Sequence, residues 1–340
     1  MKALMEATMT VSTPHPTRPP LPLRAGTRGS PLALVQTRGF LARLSTFCPV
    51  LAAPPDGATP VFAEHIIRTT GDAVRDRPLA ELGGKGLFAK EIHEAMAAGT
   101  IDIAVHSLKD LETDLPDGIA LGCVLPREDP RDALILAPGC AAPDPGEPFA
   151  AIPRGGVVGT CSPRRAAQVR AARPDLRIEP LRGNVETRLS RIRRGDFSAT
   201  LLAMAGLRRL GLADAASIVL EPSQMLPAVG QGIVGITLRA ADQALARLLV
   251  AIEDANVRAV ATAERAMLAG LGGSCRTPIG GHATIAGGML TLDGLLASED
   301  GTVLIRRQAR GQAADAAAIG AAVAAALGAD APALLVPAPG

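Results

Sequence analysis

Two stretches of the sequence share one pattern of polar and apolar residues. The first reads TRGSPLALVQTR (27–38) and the second reads GTCSPRRAAQVR (159–170). Each holds a Ser-Pro pair after a short apolar stretch, which is typical of a helix N-cap with proline at the first helical position. A glutamine and an arginine then follow at the same offsets in both. The repetition predicts two similar units, each beginning with a strand, a turn and a helix.

A second repetition extends these units. GTIDIAVHSLKDL (99–111) and GDFSATLLAMAGL (195–207) each read as an apolar strand that follows a glycine and a helical segment. Strands that alternate with helices predict mainly parallel sheets, with ligands at the carboxyl ends of the strands. We therefore expect an α/β fold with two similar domains that face each other across a cleft.

The rest of the chain predicts a third, smaller unit. A chain of 340 residues exceeds what one hydrophobic core usually serves. The Pro/Gly-rich segment 137–148 predicts a loop near the passage between domains, and segment 221–240 predicts a crossing back into the first domain. Beyond residue 252, a long helix, strand-like segments and an alanine-rich helix predict an α+β unit that presents Cys275 on a loop.

Composition argues against several functional classes. No apolar run approaches the roughly 20 residues that a bilayer span needs, and residues 1–22 lack the apolar stretch of a signal peptide. We expect a soluble, cytoplasmic protein with a disordered leader at 1–22. Trp and Tyr are absent, and 33 acidic residues almost balance 35 basic ones, so nucleic acid is not the expected partner. The five scattered cysteines form no CxxC pattern, and no metal is expected.

Polar residues crowd the end of the strand in DIAVHSLKDL. His106, Ser107, Lys109 and Asp110 follow its apolar half. A carboxylate beside a lysine at the carboxyl end of a strand is placed for acid/base chemistry or for stabilising a cation. The residues leave one alternative open, which is an ordinary ion pair at the end of a strand.

Arginines recur at positions that we expect to face the cleft. Ser30 and Ser162 would start helices whose free N–H groups favour anions. Guanidinium groups bind carboxylates in a bidentate manner, so the pattern predicts a cleft for a small, carboxylate-rich ligand. These arginines are Arg28, Arg164, Arg165, Arg182, Arg188, Arg208 and Arg209.

Two glycine-rich segments remain. ELGGKGLFAKE (81–91) lacks the spacing of a phosphate-binding loop, so it predicts a mobile lid with Lys85 near the cleft, or else a plain flexible loop. LGGSCRTPIGGHA (271–283) surrounds Cys275 with glycines and places Arg276 beside it, which favours a reactive thiolate. A buried, inert thiol is the alternative for Cys275.

These motifs together resemble those of the porphobilinogen deaminase (hydroxymethylbilane synthase) family. The resemblance covers residues 23–310, in the family's order and approximate spacing. The motifs that carry it are TRGSPLALVQ, GGKGLFAKE, DIAVHSLKD, REDPRDAL, LRGNVETRL, AGLRRLG, LPAVGQG and GGSCRTPIG.

The resemblance implies a fold of three domains and a monomeric protein. Two domains would resemble type II periplasmic binding proteins, with mixed, mainly parallel sheets around a cleft, and a smaller α+β domain would follow. The implied boundaries are 23–125 plus 232–250 for the first domain, 126–231 for the second and 251–340 for the third.

The resemblance also implies an activity. The family condenses four porphobilinogen molecules head to tail, releases ammonia at each step, and frees hydroxymethylbilane by hydrolysis, for tetrapyrrole biosynthesis. The ligands of the cleft would be porphobilinogen and the growing pyrrole chain. A dipyrromethane cofactor, one per chain, would be joined to Cys275 by a thioether.

Roles for individual residues follow from the resemblance. Asp110 would assist the departure of the amine and stabilise the azafulvene cation that remains, and Lys109 and Lys85 would be the active-site lysines. The implied cofactor-binding residues are Cys275, Ser107, Lys109, Asp110, Ser162, Arg164, Arg165 and Arg188. The implied substrate-binding residues are Arg28, Ser30, Gln36, Arg182 and Arg209.

The sequence departs from the family pattern at three positions. Glu81 stands where the family has a lysine, and Cys161 and Pro163 stand where it commonly has serine and leucine. We expect the anion site to survive, since Pro163 suits the first helical position. A non-catalytic carboxylate-binding protein and an inactive family member are the alternatives. The lone thiol and the retained polar residues favour the enzyme.

Overall fold

The computed structural model describes residues 21–51, 61–73, 86–273 and 277–334. Within these ranges the strands form two five-stranded sheets and one three-stranded sheet. The strands are β1 (Leu23–Thr27), β2 (Phe62–Ile66), β3 (Ile103–Ser107), β4 (Ile119–Val124), β5 (Asp132–Leu136), β6 (Val157–Gly159), β7 (Arg177–Glu179), β8 (Ala199–Ala203), β9 (Ile218–Val219), β10 (Val234–Arg239), β11 (Ile279–Ala286), β12 (Met289–Ala297) and β13 (Leu304–Gln312). The α-helices are α1 (Pro31–Phe47), α2 (Thr70–Ala73), α3 (Lys90–Ala97), α4 (Pro163–Ala172), α5 (Val185–Arg193), α6 (Met204–Arg209), α7 (Gln243–Val250), α8 (Ala255–Gly270) and α9 (Ala316–Asp330).

The first sheet has the strand order β2-β1-β3-β10-β4. β1 is parallel to β2 and β3, whereas β10 is antiparallel to β3 and β4, so four of the five strands run in one direction. Successive side chains of a strand point to opposite faces. Accordingly, Ile103 packs with Phe40 of α1 and Leu245 of α7, while Ala104 packs with Met96 of α3. Helices therefore cover both faces of this sheet.

The second sheet repeats this plan. Its strand order is β7-β6-β8-β5-β9, and β5 is antiparallel to both of its neighbours. Leu201 packs with Val169 of α4, and the next residue, Leu202, packs with Leu189 of α5. The expected fold class is confirmed: two α/β units with mixed, mainly parallel sheets, followed by a smaller α+β unit.

The third sheet, β11-β12-β13, is antiparallel and belongs to the smaller unit. Helices α8 and α9 pack on it, and a Cβ on Gly294 of β12 would meet Met267 and Val323 within 3 Å. Among the described residues, one helical stretch, Ala313–Asp330, has the length and hydropathy that a membrane span requires. Its large side chains, Ile319, Val323 and Leu327, are buried in the core of this unit.

The chain passes between the first two sheets twice. It enters the second sheet between β4 and β5 and returns between β9 and β10. Loop 137–148, expected near the passage between domains, joins β5 to β6 within the second sheet, and its Pro145 O accepts a hydrogen bond from Gln224 Nε2 of the return passage at 2.6 Å. Composition identified a loop there, but only strand pairing shows which sheets it connects.

Glu264 of α8 joins the third unit to both passages. This side chain has no exposed surface, and its Oε1 accepts hydrogen bonds from Arg127 Nη1 (2.6 Å) and Ala283 N (2.7 Å). Its Oε2 accepts a hydrogen bond from Gly230 N at 2.7 Å. Arg127 lies on the outward passage and Gly230 on the return, so one buried carboxylate fixes both passages to α8.

We expect Glu264→Ala to lower the free energy of unfolding by about 3–5 kcal/mol, because it leaves the Arg127 guanidinium largely buried without its counter-charge. Urea denaturation measures this loss. Glu299→Ala removes an exposed glutamate and serves as the control, for which we expect little change. Equal stabilities of the two variants would contradict the role of Glu264.

Candidate active site

Two neighbouring parallel strands of the first sheet end at one edge. Arg28 and Ser30 follow β1, and Ser107 is the last residue of β3. Ser30 is the N-cap of α1, and its Oγ accepts a hydrogen bond from Ala33 N at 3.3 Å. The predicted cap is confirmed. Because the carboxyl ends of parallel strands meet at the same edge, these polar residues converge.

Asp110 lies in a 3₁₀ turn, Leu108–Asp110, that follows β3 directly. Its exposed side chain borders a cavity of about 70 Å³. Gln36 Nε2 donates a hydrogen bond to Ser107 Oγ at 3.0 Å in the wall of the cavity. This volume accommodates a carboxylate arm but not a whole pyrrole chain. The cavity brings together five predicted site residues, Arg28, Ser30, Gln36, Ser107 and Asp110.

Arg28 is held in this cavity by a carboxylate and a ring. Its Nε donates a hydrogen bond to Asp72 Oδ2 at 3.0 Å, and its guanidinium carbon lies 4.3 Å from the centroid of the Phe88 ring. Burial acts to lower the pKa of Arg28, but Asp72 and Asp110 outweigh it and raise this pKa. Arg28 therefore stays charged beside Asp110.

The Lys109 ammonium reaches the return passage. No ion pair joins Lys109 to Asp110 among the described residues, so the alternative of a simple strand-end pair is wrong; Lys109 Nζ instead donates to Gln231 Oε1 at 3.4 Å. Burial lowers the pKa of Lys109 to about 8, although Asp110 and Asp132 act to raise it. The ammonium and the neutral amine are therefore both accessible close to neutral pH.

The second unit contributes positive charge to the cleft. The pKa of Arg188 is lowered by burial and by the positive charges of Arg165 and Arg182, while Cys161 and Asp110 act in the opposite direction. The charge of Arg188 therefore responds to Asp110 of the first unit as well as to its neighbours in the second. Arg188 Nε donates to Gly183 O at 2.9 Å, and within the described ranges its Nη atoms have no hydrogen-bond partner. They are available to a ligand.

Arg164 and Arg165 lie deeper than the sequence suggested. Only 4% and 6% of their surfaces are exposed, and both pair with Asp132, which is fully buried. Arg164 Nη1 lies 2.8 Å from Asp132 Oδ2, and Arg165 Nη2 lies 2.6 Å from Asp132 Oδ1. The two arginines hold the pKa of Asp132 well below its usual range, although burial acts to raise it. Their role as cofactor ligands stays a prediction.

Ser162 and Arg209 are placed by backbone contacts. Ser162 is the N-cap of α4 and accepts a hydrogen bond from Arg165 N at 3.4 Å, with Pro163 at the first helical position as predicted. Arg209, in α6, donates from Nη2 to Gly232 O at 2.8 Å, and burial lowers its pKa. Arg209 thus ties the second unit to the return passage.

Three residues that bear on the predicted site lie outside the described residues: Lys85, Cys275 and Glu81. Cys161, the other thiol noted in the sequence, is partly exposed at the start of α4. Within the described ranges, no group of three or more His, Cys, Asp or Glu side chains could hold a metal ion.

Sequence reasoning missed Asp132 and Gln231, and it noted His106 among the polar residues at the end of β3 without giving it a role. A signal existed for Asp132, since an acidic residue that opens the apolar strand DALIL must find a buried partner. His106 lines the cavity, and its Nε2 lies 2.9 Å from Thr237 Oγ1. Burial lowers the pKa of His106 to about 3, so this imidazole is neutral at physiological pH.

The cleft therefore combines a carboxylate, Asp110, with guanidinium groups from both units, Arg28 and Arg188. Asp110 can accept hydrogen bonds from N–H groups and stabilise a cation, while guanidinium and hydroxyl donors can bind carboxylates. An anionic ligand that develops positive charge at one atom suits this arrangement.

Family comparisons agree with this chemistry. The family model described as "Porphobilinogen deaminase, dipyromethane cofactor binding domain" matches residues 23–247, and "Porphobilinogen deaminase, C-terminal domain" matches residues 259–329. The chain belongs to the porphobilinogen deaminase family.

Curated relatives extend the match over nearly the whole chain. A porphobilinogen deaminase of Paracoccus denitrificans is 48% identical over 315 residues, which cover 93% of this chain and 96% of that protein. A porphobilinogen deaminase of Nitrobacter winogradskyi is 49% identical over 295 residues, which cover 87% of this chain and 89% of that protein. Among solved structures, the periplasmic VFT2 domain of Bordetella pertussis BvgS is similar with a TM-score of 0.39 and 10% sequence identity. The superposed residues cover 68% of this chain and 86% of that domain.

Asp132 offers a test of the buried charges of this deaminase-family site. We expect Asp132→Asn to lower the free energy of unfolding by about 3–5 kcal/mol, because two buried guanidinium groups lose their counter-charge. Chemical denaturation reports the loss.

Asp175→Asn is the matched control, since Asp175 pairs with Arg173 at the surface. Solvent screens such a pair, so we expect a much smaller change. Similar losses in both variants would show that Asp132 is not the counter-charge that Arg164 and Arg165 require.

Proposed function

We propose that this protein is a transferase that condenses four porphobilinogen molecules into hydroxymethylbilane, releasing ammonia at each step, in tetrapyrrole biosynthesis. It builds the product on a dipyrromethane primer and frees the product by hydrolysis. Family membership supports this proposal. The observation that carries it is the convergence of Asp110 with Arg28, Ser30, Gln36 and Ser107 around one cavity at the carboxyl ends of β1 and β3.

The residues of the cleft fit a dipyrromethane. Such a group carries carboxylates and pyrrole N–H groups, which match guanidinium donors and a carboxylate acceptor. Arg188 Nη atoms and Ser107 would hold its carboxylates, Asp110 would accept from its N–H groups, and Cys275 would anchor it. When bound, it supplies the nucleophilic carbon to which substrate units are added.

Asp110 acts on the substrate's developing positive charge. Its exposed carboxylate borders the cavity, where it accepts a hydrogen bond from the substrate's pyrrole N–H as ammonia departs. A fixed negative charge near a developing cation lowers the barrier without reorganisation at the moment of reaction. Arg28 and Arg188, which bind carboxylates, orient the substrate so that its aminomethyl carbon faces this charge.

Lys109 supplies a mobile proton beside Asp110. With a pKa of about 8, its Nζ is mostly protonated at neutral pH yet gives up the proton readily. The proton at Nζ serves the departing amine, which leaves as neutral ammonia only after protonation. Lys85 acts with Lys109 as the second active-site lysine.

The remaining assignments belong to the same proposal. The first domain comprises residues 23–125 and 232–250, the second 126–231 and the third 251–340, with 1–22 as a leader. The second domain contributes cofactor ligands in Ser162, Arg164 and Arg165, and the substrate-binding residues include Ser30, Gln36, Arg182 and Arg209. The protein is a cytoplasmic monomer that binds neither nucleic acid nor membranes.

We expect the intact mass of the purified protein to exceed that of the polypeptide by one dipyrromethane, and Cys275→Ser to lack this excess. Mass spectrometry of both proteins tests the cofactor and its anchor together. The Cys161→Ser variant is the control and should retain the excess.

If neither protein carries the excess, incubation with porphobilinogen distinguishes an unloaded enzyme from a simple carboxylate binder. An unloaded enzyme gains the mass of the cofactor. Continued failure of the native chain to gain mass would refute the proposed function.

We expect Asp110→Glu to retain the cofactor while kcat falls on the order of 10²-fold or more, because the carboxylate is displaced from the developing cation. Steady-state assays of porphobilinogen consumption, with intact mass as the loading control, measure this effect. Near-normal turnover would remove Asp110 from the mechanism.

A further inference from the structure

The Gly-Gln-Gly segment, residues 230–232, packs against the turn that carries Lys109. Gly230 and Gly232 have φ angles of +72° and +88°, which favour glycine. A Cβ on Gly230 would lie 3.1 Å from Lys109 N, and one on Gly232 would lie 2.3 Å from Glu128 O. A side chain at 232 would collide with the backbone and one at 230 would crowd it, and both would be strained at these φ angles, so this close approach depends on both glycines.

The Gln231 amide between them has one possible orientation. Gln231 is fully buried, and its Nε2 donates to Pro130 O at 2.7 Å and to Asp132 Oδ1 at 3.0 Å. A carbonyl and an ionised carboxylate can only accept, so both N–H groups of the amide are used. Its Oε1 must then face the other way, where it accepts from Lys109 Nζ at 3.4 Å.

The contact continues into the second unit. Asp132 pairs with Arg164 and Arg165, which begin helix α4. Arg127 Nε also donates to Gln231 O at 2.9 Å, which fixes the backbone of Gln231. An unbroken series of buried polar contacts therefore runs from Lys109 through Gln231 and Asp132 to α4.

We propose that Gln231 is a positioning residue for Lys109: its carbonyl holds the Lys109 ammonium, and its N–H groups anchor it to Asp132 and Pro130. The location of the active-site lysine then depends on the second unit, so movement of α4 against the first sheet would move Lys109. This inference deepens the proposed function and rests on it for the catalytic importance of Lys109.

Burial disfavours the ammonium of Lys109, and the charged groups around it act in both directions. The groups that face its ammonium are Asp110 and Asp132, which are negative, and Arg164 and Arg165, which are positive. A carbonyl acceptor favours the charged form of an amine, so loss of the Gln231 carbonyl should lower the pKa of Lys109.

The test measures the pKa of Lys109 directly in the full-length chain. The sequence has four lysines, so ¹³C labelling of lysine side chains yields few NMR signals, and Lys109→Arg identifies the one that belongs to Lys109. We expect Gln231→Met, which keeps the shape of the side chain, to lower this pKa by at least about 0.5 units. Intact mass ensures that the variants are compared at equal cofactor loading.

Gln168→Met is the matched control. Gln168 is also buried and bonds Leu226 N through Oε1 at 2.8 Å, but it does not contact Lys109. We expect a similar loss of thermal stability and no change in the pKa of Lys109. We expect Gln231→Glu to shift the pKa of Lys109 in the opposite direction, because a carboxylate near the ammonium should raise it.

The outcomes separate this inference from the proposed function. Equal pKa values of Lys109 in the native chain, Gln231→Met and Gln231→Glu would overturn the positioning role, even in an active enzyme. The expected shifts would support it even if the chain did not consume porphobilinogen. In an active enzyme, kcat should fall at high pH as Lys109 loses its proton. This fall should occur at lower pH in Gln231→Met, and it should be absent in Lys109→Arg.

Discussion

The buried carboxylate of Asp132 is the interaction on which the rest of the cleft depends. It opens β5, where the chain has just entered the second sheet, and it neutralises Arg164 and Arg165 at the start of α4. Two buried guanidinium groups without this charge would cost several kcal/mol, a large part of the stability of an ordinary domain. Through Gln231, the same carboxylate also reaches the turn that holds Lys109. One side chain thus connects a strand, a helix and the return passage.

The cleft holds groups of both charges. The first unit presents Asp110 and Arg28, and the second presents Arg188 with its Nη atoms available. A pyrrole chain carries carboxylates on its periphery and N–H groups at its centre, so it can satisfy both kinds of group at once. Under the proposed function, binding would orient the chain without neutralising Asp110, and the carboxylate would keep its charge for the cation that forms as the amine departs.

The two repeated units keep one plan but use it differently. Gln36 and Gln168 follow their Ser-Pro pairs at the same offset, yet Gln36 bonds Ser107 in the cavity wall whereas Gln168 bonds Leu226 in the interior. The caps Ser30 and Ser162 are equivalent in both units. The local signals recur in both units because each helix needs its own cap, while the long side chains that follow have different partners.

The sequence by itself determined the strand-turn-helix units, the positions of their caps and the family, because N-caps, proline at the first helical position and motif spacing are local properties. It also predicted that Asp110 follows a buried strand. Only the tertiary structure decided which arginines face a ligand. Arg165 and Arg188 look alike in sequence, but the partner of Arg165 lies 33 residues away and reaches it only through the pairing of β5 with β8. Burial and counter-charge depend on such distant contacts, which no local pattern encodes.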